Sequence, residues 1–314
     1  MPQPNKAMLK DLNNTYITEE NSYDEEEQQR EHETLLASLN DEQRLVFGGV
    51  MDSIECGKGQ FFFLNGAGGT GKTYLYQTII TKIRSLQKIV LPVASSGIAA
   101  LLLPGGRTAH SRFKIPLNLQ EHSMCDIKPG SMLAELLKET VLIIWDEAPM
   151  THRQAFEALD RTIRDISSPE DPNAANRLFG GKTVLLGGDF RQILPVIAEG
   201  RRQDTVSAAI NRSYLWDSCK FYNLTQNMRL RVEEKTFARW ILQVGDGNAA
   251  KINRPMGSCE EVDVIKIEGK LMLETEENQL ERLAASVYTD FYASYDDREY
   301  ITERAILTPK NDSS

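Results

Sequence analysis

Short apolar blocks alternate with longer amphipathic stretches along most of the chain. "FFFLN" (61–65), "IVLPVA" (89–94), "VLIIWDEA" (141–148) and "TVLLGGD" (183–189) read as buried strands. "AILTP" (305–309) reads as a last one. Between them, "KTYLYQTIITKIRSL" (72–86), "SGIAALLL" (96–103), "MLAELLKET" (132–140), "FEALDRTIRDI" (156–166) and "KTFARWILQV" (235–244) read as helices. The 156–166 segment places Phe156, Leu159, Ile163 and Ile166 on one face. An earlier helix is expected in "LNDEQRLVFGGVMDSI" (39–54), with Asn40 as cap and Gln43 completing a capping box. Its periodic apolar positions are Leu45, Val46, Val50 and Ile54. Apolar strands alternating with amphipathic helices predict an α/β fold, a mostly parallel sheet with helices on both faces. "SSPEDPNAANR" (167–177) is the clearest long loop, and no internal repeat is visible.

The first strand runs into Gly66-Ala67-Gly68-Gly69-Thr70-Gly71-Lys72-Thr73, a G-x-x-x-x-G-K-[ST] loop that opens a helix. Glycines let successive N–H groups turn toward phosphate oxygens, and the helix N-terminus adds a favourable dipole. Lys72 is suited to the β- and γ-phosphates, and Thr73 to magnesium. Asp146 and Glu147 end another apolar strand. Asp146 suits magnesium, and Glu147 suits the attacking water. Two adjacent carboxylates favour hydrolysis over transfer to a small acceptor.

Ligands bind at the carboxyl ends of strands in open α/β sheets, so "TVLLGGDFRQILPV" (183–196) directs Asp189 and Gln192 toward the nucleotide region. Gln192 suits sensing of a γ-phosphate, whereas Asp189 is equally suited to capping its turn. Arg229, placed at the end of a further strand in "FYNLTQNMRL" (221–230), fits either a γ-phosphate contact or a surface ion pair. In 94–116, Arg107, Thr108, His110, Ser111, Arg112 and Lys114 crowd one loop. Such groups suit a phosphodiester backbone, with Phe113 either stacking on a base or anchored in the core.

The formal net charge of −9 over 314 residues argues against a generally basic nucleic-acid coat but leaves room for a local groove. Cys56, Cys125, Cys219 and Cys259 form no CxxC pair and read as reduced thiols rather than a zinc site. No apolar run is long enough to cross a membrane, and no secretory signal is visible. "EENSYDEEEQQREHE" (19–33) is acidic and poor in apolar residues, so 1–36 is expected to be a flexible segment that frays or forms a solvated helix.

The strings "LNDEQ", "GAGGTGKT", "ASSGIAALLLPGGRTAHS", "IIWDEAPM", "FEALDRTIRDI", "FGGKTVLLGGDFRQILPV", "LTQNMRL" and "ILTPKN" occur here in one order. Together they resemble the Pif family of ATP-dependent DNA helicases, in particular its Helitron-type members, over residues 19–311. The phosphate loop is shared with many NTPases; "GGDFRQILPV" and the serine-glycine segment are far more specific. The resemblance implies a RecA-like P-loop domain, ATP and Mg2+ as cofactors, and 5′-to-3′ translocation on single-stranded DNA or DNA junctions. It implies roles in repair, recombination and telomere maintenance, and with them a nuclear or mitochondrial location. By motif, Gln43 matches an adenine-reading glutamine, Lys72 and Thr73 the phosphate and magnesium residues, and Asp146 and Glu147 the magnesium and water-activating pair. Gln192 matches a γ-phosphate sensor and Arg229 an arginine finger. Thr108 and His110 match a single-stranded DNA motif, and the helix with Asp160 and Arg164 a signature segment. Family members continue into a second RecA-like domain, and no later helicase motif occurs in this sequence. The expectation is a first RecA-like domain over 37–314, monomeric, the ATP-binding half of such a helicase; the alternative is a nucleotide-binding fragment with little helicase activity of its own. A P-loop kinase is the competing class, and no arginine-rich lid segment supports it.

Overall fold

The computed structural model describes residues 14–230, 234–251, 264–267, 269–272 and 278–307. The chain divides into two compact units, Met1–Asp246 and Gly247–Ser314. The first unit carries six parallel strands: β1 (Phe61–Gly66), β2 (Ile89–Ala94), β3 (Arg107–Thr108), β4 (Thr140–Asp146), β5 (Thr183–Gly188) and β6 (Cys219–Leu224). Their order across the sheet is β3-β2-β4-β5-β1-β6.

Continuous apolar runs are what a doubly covered sheet requires, because successive side chains leave opposite faces. Phe61, Phe63, Leu91, Val93, Ile143, Trp145, Val184 and Leu186 face one core. Phe62, Leu64, Val90, Leu142, Ile144 and Leu185 face the other. The helix Arg153–Ser167 seals the first face with Phe156, Leu159, Ile163 and Ile166, as its periodicity predicts. The helix Lys72–Ser85 seals the second with Leu75, Ile79, Ile80 and Ile83. The helix Asp41–Glu55 has the expected capping box: Asn40 accepts the Gln43 N–H, and Gln43 accepts the Asn40 N–H. Its buried stripe is Val46, Val50 and Met51; Leu45 is 66% exposed.

The amino-terminal acidic stretch departs from its expectation. Residues Thr15–Glu20 and Glu25–Ala37 form helices, and both dock. His32 is buried, its ring stacked on Phe47 and its Nδ1 3.1 Å from the Thr78 carbonyl. Burial pushes its pKa below the usual histidine value. Glu20 is buried in an ion-paired cluster with Arg112 and Arg84, and the Arg84 guanidinium lies 3.6 Å over the Tyr23 ring. An acidic segment escapes solvent here because arginines far along the chain are waiting for it, which composition cannot reveal.

In the second unit, Gln279–Val287, Phe291–Ser294 and Arg298–Thr302 are helices that bury no residue, and Lys251 and Ile265 form an antiparallel bridge. The expected strand at 305–309 is not formed by residues 305–307; Thr308 and Pro309 lie outside the described residues. Among the described residues no helix is long and apolar enough to cross a membrane.

Candidate functional site

The carboxyl ends of β1, β4, β5 and β6 meet at one edge of the sheet, and a cavity of about 490 Å3 opens there. Ala67, Gly68, Gly69, Gly71, Lys72 and Thr73 form one wall. Asp146, Glu147, Gln192 and Arg229 form the others. The loop takes left-handed backbone at Gly69 (φ 85°) and Gly71 (φ 82°). A Cβ at Gly71 would also stand 2.4 Å from Gln43 Nε2, and one at Gly69 would be tight against Asn227 and Arg229. Lys72 folds back over the loop, its Nζ donating to the Gly66 carbonyl at 2.5 Å. This is a cation held where a triphosphate would otherwise take its charge.

Asp146 is buried, and its Oδ1 has no hydrogen-bond partner among the described residues. Burial raises its pKa, while Lys72 pulls the other way. Glu147 is half-buried; desolvation, and then the Asp146 charge beside it, raises its pKa too. Its backbone sits at φ 52°, ψ 37°, left-handed for a residue with a Cβ. Such strain, of order 1–3 kcal/mol, persists only where the surroundings hold it. Here Ser95 holds it. The Ser95 N–H donates to the Asp146 carbonyl at 3.1 Å, and its hydroxyl donates to the Glu147 carbonyl at 2.7 Å. The same hydroxyl accepts from Trp145 Nε1 and Thr151 Oγ1.

Gln192 and Arg229 both reach the cavity, although β6 ends at Leu224, short of Arg229. What carries Arg229 there is a strap that spacing did not reveal. The Met228 N–H donates to the Gly69 carbonyl at 2.8 Å, and Asn227 Nδ2 to the Gly68 carbonyl at 3.2 Å. Glu42 anchors the start of the strap, accepting the Thr225 N–H at 2.8 Å; hydrogen bonds from Thr225 hold its carboxyl below the usual range. Arg229 is exposed and has no carboxylate partner among the described residues. Asp189 does cap its turn: its Oδ1 accepts the Arg191 N–H at 3.0 Å. Gln43 touches the loop from behind, Nε2 lying 3.4 Å from the Thr70 carbonyl.

The loop after β2 behaves differently from its composition. Phe113 is fully buried beside Trp145, so it anchors the core rather than stacking on a base. Arg112 is spent on Glu20 and Arg107 on Glu19. Thr108 and His110 lie outside the nucleotide cavity, half-buried, with no side-chain hydrogen-bond partner among the described residues. Burial lowers the His110 pKa.

A parallel sheet with a phosphate cradle after β1 and a carboxylate pair after β4 defines a P-loop NTPase domain of the RecA-like fold. The chain belongs to the PIF1-like helicase family, whose match spans residues 38–255. It is 32% identical over 180 residues to the ATP-dependent DNA helicase PIF4 of Trypanosoma brucei, covering 55% of this chain and 20% of that one. It is 29% identical to the Pif1 helicase of a Psychrobacter species, over 57% of this chain and 26% of that one. The crystal structure of Candida albicans Pif1 superimposes with a TM-score of 0.52 and 26% identity, over 67% of this chain and 44% of that one. Bacteroides Pif1 in complex with ADP-AlF3 and single-stranded DNA shares the fold, with a TM-score of 0.55 and 22% identity, over 71% and 52%. The chain thus spans a fifth to a quarter of these curated relatives and about half of the solved chains.

Proposed function

We propose that this chain is the ATP-binding half of a DNA helicase that couples ATP hydrolysis to 5′-to-3′ movement along single-stranded DNA. The observation that carries the reading is the convergence of Lys72, Asp146, Glu147, Gln192 and Arg229 on one cavity from four separate stretches of chain. Thr73 and Asp146 would hold Mg2+. The Asp146 Oδ1, without a hydrogen-bond partner among the described residues, and the Thr73 hydroxyl beside it in the cavity lining fit that ion, and no cluster of three His, Cys, Asp or Glu side chains among the described residues competes for it. A magnesium ion held by few protein oxygens, completed by phosphate and water, is the usual arrangement in nucleotide sites.

Lys72 exchanges its loop carbonyls for phosphate oxygens when nucleotide binds. Glu147, whose pKa is raised by burial, orients the attacking water and accepts its proton. Gln192 and Arg229 meet the γ-phosphate, Arg229 offsetting the charge that develops there. Gln43 reads the adenine edge, and Thr108 and His110 contact the DNA strand. The motif string supports a Helitron-type member, acting as a monomer on single strands and junctions in the nucleus. Names of relatives such as PIF4 support helicase activity for the whole protein.

Nucleotide binding is tested with the chain itself: magnesium-ATP should bind, and Lys72→Ala should abolish binding. Unchanged affinity in that variant would refute the assignment. Coupling to DNA is tested by the ATPase rate of the full-length protein with and without single-stranded DNA; a rate indifferent to DNA would sink the helicase reading.

A further inference from the structure

A second cavity, of about 570 Å3, is lined by Arg153, Arg202, Gln203, Val206, Ser207 and Arg212. Three of its six wall residues are arginines and none is a carboxylate, in a chain whose net charge is −9. The arginines come from three separate stretches of chain. Arg153 opens the helix that follows the Asp146-Glu147 turn. Arg202 opens the helix Arg202–Ala208, downstream of β5, and Arg212 ends the turn Ile210–Arg212.

Arg153 is fixed rather than waving in solvent. Its Nη1 donates to Glu157 at 2.8 Å and its Nε to the Ser207 carbonyl at 3.0 Å. Glu157 is itself buried and accepts the Ser213 hydroxyl at 2.8 Å. One guanidinium is therefore held in place with its remaining donors spare. Arg202 and Arg212 are exposed and have no carboxylate partner among the described residues. Two open guanidinium groups beside a fixed third concentrate positive charge at this spot.

We propose that this arginine-lined cavity binds the phosphodiester backbone of a DNA strand, as a second contact outside the Thr108–His110 region. Guanidinium forks suit pairs of non-bridging phosphate oxygens. No aromatic ring lines the cavity, so it offers backbone contact without base stacking. The site answers how an acidic chain grips a polyanion: by local placement of arginines that Arg107 and Arg112, already paired with Glu19 and Glu20, cannot supply. The inference rests on the DNA-binding reading above.

The test is salt-dependent binding of a fluorescent single-stranded oligonucleotide to three proteins: the wild-type chain, R202E/R212E, and K58E/K88E. Lys58 and Lys88 are exposed just before β1 and β2, at the amino ends of the strands, and neither lines the cavity, so the control makes the same charge change elsewhere. R202E/R212E should weaken binding about tenfold or more and flatten the slope of log K against log salt by about 1.4, two phosphate contacts at about 0.7 each. It should leave magnesium-ATP affinity unchanged, which also shows that the variant folds. K58E/K88E should keep the wild-type slope. Equal behaviour of the two double variants overturns this cavity while leaving the DNA reading intact. A wild-type chain that binds no oligonucleotide at low salt overturns both. Inorganic phosphate that displaces the oligonucleotide at equal phosphate concentration would identify a free-anion site and overturn the strand assignment.

Discussion

The Ser95 hydroxyl donates to the Glu147 carbonyl over 2.7 Å and so holds a carboxylate residue in left-handed backbone at the mouth of the nucleotide cavity. Ser95 follows β2 directly, at the start of the segment that leads to Thr108 and His110. One side chain thus ties the carboxylate turn to the stretch suited to DNA.

Ser95→Ala removes that tie and leaves Trp145 Nε1, on a buried ring, without its acceptor. A buried donor left unsatisfied costs about 1–3 kcal/mol. The larger effect should fall on turnover: hydrolysis should drop at least about tenfold as Glu147 relaxes, because misplacing a base by about an ångström has that consequence. Affinity for magnesium-ATP should change little, since the phosphate loop is untouched. Turnover equal to wild type in a destabilised variant would show that Ser95 serves stability alone.

Asp146 offers a prediction of opposite sign. Its folded pKa is raised, so the fold disfavours the ionised form. Stability linked to this group is highest below the ordinary aspartate value and is lost as pH rises through the raised folded value. At neutral pH the apo chain carries that penalty, and Asp146→Asn removes it. Melting of the nucleotide-free variant should occur a few degrees higher, at about 2–4 °C per kcal/mol for a domain of this size. The gap should close on acidification toward pH of about 4, while magnesium-dependent nucleotide binding is lost. A lower melting point at pH 7 would contradict this account of the site.

How much of this was readable follows from the range of each interaction. The phosphate loop, the carboxylate pair and the 156–166 face are local patterns, so spacing alone located them, and the structure brings Lys72, Glu147 and Arg229 to one cavity. Glu42 and Asn227 are not legible in the sequence because each acts on a backbone group far along the chain, Glu42 on Thr225 and Asn227 on Gly68, and backbone groups carry no sequence signature. Arg107 and Arg112 suit a phosphodiester backbone by composition but are paired in the fold, because nothing near them in sequence announces Glu19 and Glu20. Leu45 fits the helical period yet lies exposed, because an amphipathic pattern fixes a face only to within a residue or so.

The amino-terminal helices separate structural from superficial charge. Glu20→Ala would leave Arg112 and Arg84, both buried, without their carboxylate. Breaking a buried pair in this way costs about 3–5 kcal/mol. Glu19→Ala breaks an exposed pair with Arg107 and should cost less than about 1 kcal/mol. Chemical denaturation of the two variants should therefore differ several-fold in their loss of stability. Similar small losses for both would mean that the acidic segment is dispensable to the fold.

Gly187 and Tyr76 set the spacing beneath the carboxylates. Gly187 lies on β5, and a Cβ built there would stand 1.6 Å from the Tyr76 hydroxyl oxygen and 2.9 Å from the ring carbon that bears it. Tyr76 is fully buried on the helix Lys72–Ser85, with its hydroxyl beside the Asp146 carboxyl. The ring cannot swing away without opening the core that Leu75 and Ile79 share. Gly187→Ala should thus destabilise by about 1–3 kcal/mol through overpacking. Tyr76→Phe removes the oxygen responsible for the worst contact, although the ring carbon stays tight. Combined with Gly187→Ala it should recover more than half of the loss. A double-mutant cycle by denaturant titration measures this directly, and purely additive losses would show that the two residues do not meet. Because Tyr76 sits beside Asp146, the double variant should also bind magnesium-ATP more tightly than Gly187→Ala alone.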